Sequence, residues 1–69
     1  MKKQRRYNLK HFREFQGLTQ EQMAAKLEVA KSTYVQIELG KTNPSFALME
    51  KFAETFDYHD YWNLFKKYQ

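Results

Sequence analysis

Between Thr19 and Lys41 the chain reads TQEQMAAKLEVAKSTYVQIELGK, and no other stretch restricts the possible folds as strongly. Thr19 has Gln22 three residues on, the spacing at which a capping box ties off the free N–H groups of a helix start. Leu18 and Met23 occupy the hydrophobic-staple positions around that cap. Met23, Ala24 and Leu27 then share an inner face, and the small Ala24 lets another helix cross closely. Glu28 and Val29 form a turn, with Val29 as an apolar anchor, and a further helix is expected from Lys31 to Leu39, stopped by Gly40. Counted from Lys31 at about 100° per residue, Tyr34 and Ile37 fall at roughly 300° and 240°, with Ser32, Val35 and Gln36 at roughly 100°, 40° and 140°. One side of this helix can bury while the other displays small and polar groups. A helix seated in that way suits the DNA major groove.

The flanking sequence supplies helices to hold this pair. One is expected over about Asn8–Gln16, with Leu9 and Phe12 on one face and Gly17 as its stop. Another begins near Ser45, just after Pro44, and carries Met49, Phe52, Ala53 and Phe56 at helical spacing, widened by Phe46 and Leu48. A last helix, from Tyr58 or Asp60 to Tyr68, places Tyr58, Tyr61, Trp62 and Phe65 on one face. Two glycines, one proline and no alternating β-branched run leave an all-α chain. Residues 1–7 read as a basic, flexible arm and residues 8–69 as one domain. A chain of 69 residues is near the size where one core only just suffices, and without cysteine its stability must come from packing.

Charge and chemistry narrow the function classes. The net charge is +4, and Lys2, Lys3, Arg5, Arg6, Lys10 and Arg13 all precede the first acidic residue, Glu14. Such an arm suits a polyanion, although a solvated tail has the same composition. No segment approaches about 18 apolar residues and no cleavage pattern opens the chain, so neither a membrane span nor a signal peptide is expected. His11 and His59 lack the pairing of a zinc helix, and Glu50 with Glu54 reads as a solvated flank. No nucleophile, base and orienting group can be assembled. The expectation is no enzyme, no metal, no cofactor and no small-molecule ligand.

The strings GLTQEQMAAKL, VAKSTYVQIELGK and NPS, followed by Met49, Phe52-Ala53 and Phe56, resemble the lambda-repressor-like helix-turn-helix domains of the Cro/CI or XRE family. The likeness covers roughly residues 9–65. It implies a compact five-helix fold and a sequence-specific regulator of double-stranded DNA, a repressor, in the cytoplasm of a bacterium or phage. It also implies base contacts from Lys31, Ser32 and Gln36, and phosphate contacts from Gln20 and the Lys41-Thr42-Asn43 loop. Arg13 and Glu38 would form a structural ion pair. Three positions depart from the family pattern. Glu28 stands where glycine is usual, which costs about 1–2 kcal/mol in a left-handed turn. Ala30 replaces a capping serine or threonine, forgoing about 1 kcal/mol. Leu39 occupies an often polar site.

Single residues fit that frame unequally. Lys31 opposes the helix macrodipole in the first turn, but is favourable against a phosphate or guanine. Gln36 can pair bidentately with adenine, and Val35 can meet a thymine methyl. Gln20 sits at a first helical position, where free N–H groups can clasp a phosphate. Tyr34 is assigned to the core, with its hydroxyl able to surface beside DNA. Phe46, Tyr61, Trp62, Leu64 and Tyr68 exceed the needs of one stripe and offer a homodimer surface on the last two helices. The rival use of the same features is a protein-binding or antitoxin-like module that docks a partner through those aromatics.

Overall fold

A computed structural model describes residues 5–67. Lys2 and Lys3 of the predicted arm, and Tyr68 of the predicted dimer surface, lie outside the described residues. The helices are α1 (Tyr7–Phe15), α2 (Gln20–Lys26), α3 (Lys31–Glu38), α4 (Phe46–Phe56) and α5 (Tyr61–Leu64). Local chemistry explains where they start. At α2 both halves of the capping box are made: Thr19 Oγ1 accepts from the Gln22 N–H at 3.1 Å, and Gln22 Oε1 accepts from the Thr19 N–H at 2.9 Å. Ser45 caps α4 in the same sense, its Oγ accepting from the Leu48 N–H at 3.1 Å.

The first three helices stop by one device. After α1, Gly17 turns left-handed at φ 73, and the Gly17 and Leu18 N–H groups return to Glu14 O and Arg13 O at 2.9 and 3.1 Å. After α3, Gly40 does the same at φ 81, with Gly40 and Lys41 bonding Ile37 O and Gln36 O at 3.0 and 2.9 Å. After α2 the identical pair of bonds, Glu28 to Ala25 O and Val29 to Ala24 O, forms around a glutamate at φ 60. The strain foreseen at Glu28 is therefore present. Its carboxylate lies 3.4 Å from Lys51 Nζ, an exposed pair that offsets little of it.

These stops fold the helices around Leu9, Met23, Ala24, Leu27, Tyr34, Ile37, Leu48, Met49, Phe52, Leu64 and Phe65. Phe12 sits among Phe52, Phe56 and Tyr58 with ring centroids 5.2, 5.3 and 5.2 Å away, and Phe65 meets Phe52 edge-on at 5.4 Å. Such pairs each add about 0.5–1.5 kcal/mol beyond area burial. The α2–α3 pair is thus mounted on α1, which in turn touches α5.

Three sequence expectations need correction. The fifth helix is a single turn, because α4 ends at Asp57 in a left-handed conformation (φ 51) with the Tyr58 N–H returning to Ala53 O at 3.1 Å. That reversal, not helical spacing, brings Tyr58 onto Phe12. The turn that remains buries Leu64 and Phe65 and leaves Trp62 67% exposed, stacked on Tyr61 at 5.5 Å. Leu64 is therefore core, not dimer surface. Arg6 and Tyr7, assigned to the arm, belong to the folded domain, since Arg6 is buried (3% exposed) and Tyr7 opens α1.

Candidate nucleic-acid interface

α3 is fixed by its inward residues. Tyr34 and Ile37 are 1% and 3% exposed, so the helix docks by the side that the wheel assigned. Glu38, one turn beyond Tyr34, is buried as well and is fully engaged. It accepts from Arg13 Nε and Nη2 (2.8 and 3.1 Å), from the Tyr34 hydroxyl (2.6 Å) and from Gln20 Nε2 (3.2 Å). Arg13 also donates to Leu18 O at 2.9 Å, linking α1, the α1–α2 turn and α3. Burial pulls the Glu38 carboxyl upward, but the hydrogen bonds from Arg13 and Tyr34, the Arg13 charge and the Gln20 bond outweigh it and hold it below the ordinary glutamate value. The bond to Glu38 raises Arg13. Burial, then that same carboxylate, pushes the Tyr34 phenol up.

The same network engages two side chains near the surface. The Tyr34 hydroxyl is spent on Glu38 and does not emerge. Gln20, the expected phosphate partner, turns its carboxamide inward to Glu38. It lines a concavity of about 310 Å³ with Arg5, Tyr7, Lys10 and Leu39, away from the outer face of α3.

That outer face forms one wall of a second, open concavity. Ser32, Thr33 and Gln36 of α3 line it together with Val29, Thr42, Asn43 and Ser45, around a volume of about 430 Å³. Two of the residues expected to meet bases, Ser32 and Gln36, are thus brought together with two expected to meet phosphate, Thr42 and Asn43. Lys31 and Lys41 are exposed but do not line this hollow. Thr33 is on its wall too. The side chains of Lys31, Ser32 and Gln36 make no hydrogen bond among the described residues. This face therefore presents donors and acceptors that the fold itself does not use.

Arg6, placed in the basic arm by its sequence, sits instead against the loop that lines this hollow. Its guanidinium donates to Phe65 O (2.8 Å), Ile37 O (2.6 Å), Thr42 O (2.9 Å) and Asn43 Oδ1 (3.0 Å), while its N–H donates to Glu38 O at 3.0 Å. Every side-chain acceptor is neutral, and burial lowers the arginine from its ordinary value. The compensation is dipolar. Ile37 and Phe65 lie at the C-terminal ends of α3 and α5, where the macrodipole is negative, and the Ile37 carbonyl accepts from Arg6 in addition to the Gly40 N–H. Nothing in the run KKQRRY distinguishes this arginine from its neighbour, because its partners are far along the chain.

With this geometry in place, comparison with known proteins assigns the class. The helix-turn-helix family profile matches residues 9–63. The chain belongs to that family, in its XRE-type branch of DNA-binding regulators. An uncharacterized HTH-type transcriptional regulator of Methanocaldococcus jannaschii is 46% identical over 48 residues, which span 70% of this chain and 73% of the relative. Two uncharacterized HTH-type transcriptional regulators of Archaeoglobus fulgidus are 42% and 40% identical over 52 residues, 75% of this chain and 74% and 73% of theirs. No solved structure gives a significant match. All three relatives are archaeal, so they do not show the bacterial or phage source that the resemblance implied. Among the described residues no helix is long and apolar enough to cross a membrane, and no group of three or more His, Cys, Asp or Glu is placed to hold a metal.

Proposed function

We propose that the chain is a sequence-specific repressor that reads duplex DNA by inserting the outer face of α3 into the major groove. The observation that carries this is the shared hollow, with Ser32 and Gln36 on one wall and Thr42 and Asn43 on the other. Gln36 has the carboxamide to pair bidentately with adenine, and Ser32 is small enough to allow close approach. Lys31 at the helix start is favourable only when an anion or a guanine edge faces it. Lys41, Thr42 and Asn43 supply phosphate contacts that set the register. Gln20 contributes through its backbone N–H, since its amide is occupied. The relatives' names as HTH-type transcriptional regulators support the same reading.

The protein acts as a dimer on a pseudo-palindromic site, with half-sites about 34–36 Å apart. Phe46 (58% exposed), Trp62 (67% exposed) and the half-buried Tyr61 supply the subunit contact. The same aromatics serve a protein-docking module, but the polar outer wall of α3 favours DNA, because hot spots of protein interfaces are aromatic and desolvated.

Binding to random and selected duplexes across a salt series tests the proposal. Affinity is expected to fall steeply with salt; affinity that ignores salt overturns it. Gln36→Ala should relax preference at one base position, losing about 10-fold in discrimination, whereas Lys41→Ala should weaken all sequences alike.

A further inference from the structure

The buried guanidinium of Arg6 holds in place the loop that the proposed function assigns to phosphate. We propose that Arg6 is a positioning residue for DNA binding: it fixes the 41–43 loop against the C-terminal end of α3, so that phosphate contacts and base-reading face keep one geometry. This rests on the duplex reading given above.

Three observations carry it. The bonds to Thr42 O and Asn43 Oδ1 (2.9 and 3.0 Å) grip the loop, and the bonds to Ile37 O and Glu38 O (2.6 and 3.0 Å) grip the helix, from one residue. The guanidinium is planar, and its fork reaches divergent acceptors that a compact ammonium cannot serve together. Arg6 is 3% exposed, so it cannot itself meet a phosphate without leaving this seat. The Lys41 and Thr42 N–H groups already return to Gln36 O at 2.9 and 3.4 Å, which makes the loop an extension of α3. Arg6 closes its far side. A loop ordered before binding avoids the entropy of ordering it on DNA.

The test compares full-length wild-type protein with Arg6→Lys, Lys41→Ala and the double variant, on matched and random duplexes, at a temperature where circular dichroism shows each to be folded. Arg6→Lys is expected to lose about 10-fold in affinity on both duplexes, and to lower the salt slope by about one, as Lys41→Ala does. In the double variant the two losses should fall short of their product, because both act through one loop. Losses that multiply overturn the proposal, whether Arg6 is then a remote stabiliser or a phosphate ligand in its own right. Amide exchange at Lys41 and Thr42 in the free wild-type protein gives a second measure that needs no variant to fold. Slow exchange is expected; fast exchange that slows only on duplex binding overturns the proposal. Salt-independent binding by the wild-type protein would remove the DNA reading itself and this proposal with it, whereas multiplying losses leave that reading standing.

Discussion

The two ends of α3 are built in opposite ways. At its C-terminal end Glu38 takes four side-chain hydrogen bonds, Gly40 closes the chain reversal, and Arg6 occupies the Ile37 and Glu38 carbonyls. At its N-terminal end Ala30 makes no side-chain cap, Glu28 before it is held at φ 60, and Lys31 faces water against the macrodipole. A helix of eight residues does not stand alone in water, so the secured end does the holding. The bare end is where donors and a cation are left for something outside the protein. The secured and the bare end are about 12 Å apart along the helix.

Removing Glu38 should break the secured end most severely. Glu38→Ala leaves the Arg13 guanidinium buried without its counter-charge and strips the Tyr34 hydroxyl and the Gln20 amide of their acceptor. A loss of about 3–5 kcal/mol is expected in urea unfolding. The paired replacement Arg13→Met with Glu38→Gln should cost less than Glu38→Ala alone, because no lone charge remains. Acid should act on the same group. Its folded-state value lies below the ordinary glutamate range, so its contribution is complete above that range and fades as pH falls through the depressed value. A stability profile below pH ~4.5 should flatten in Glu38→Gln; equal slopes in both proteins would show that Glu38 is not the linked group.

Arg6→Met ranks next, at about 1–3 kcal/mol, because it abandons neutral carbonyls and not an opposite charge. It should keep the wild-type acid dependence that Glu38→Gln loses, because Glu38 is still present. If Arg6→Met proves as damaging as Glu38→Ala, the distinction between charge-paired and dipole-paired arginines collapses.

The contrast between these arginines also shows what the sequence could reveal. Thr19 and Gln22, or Ser45, declare themselves because their partners are three residues away. Arg13 and Glu38, 25 residues apart, were found through the spacing of a known family and not through any local pattern. Arg6 reaches residues 31, 36 and 59 positions away, and its neighbours are other basic residues, so it read as part of an arm. Helical spacing misled at the C-terminus for a related reason. Tyr58 is brought against Phe12, partly buried, by the left-handed turn at Asp57, which periodicity does not encode, and with the helix shortened Trp62 faces out. The placement of Ser32 and Gln36 on the outer face followed from angle alone. Their meeting with Thr42 and Asn43 depended on Gly40 and on Arg6.

The smallest effect should come from repairing the bare end, and its sign carries the information. Ala30→Asp supplies a side-chain acceptor for the free N–H groups of α3 and a negative charge at the positive end of the dipole. The free protein should gain about 1 kcal/mol in unfolding experiments. If α3 enters a groove lined by phosphates, the same carboxylate sits beside Lys31 and opposes the duplex. Affinity should then fall by about threefold to tenfold at low salt, and the deficit should shrink as salt screens it. Stability and binding would move in opposite directions from one substitution. A variant that is more stable and binds duplex as well as the parent would mean that the N-terminal end of α3 is not presented to DNA, and that its missing cap needs another cause.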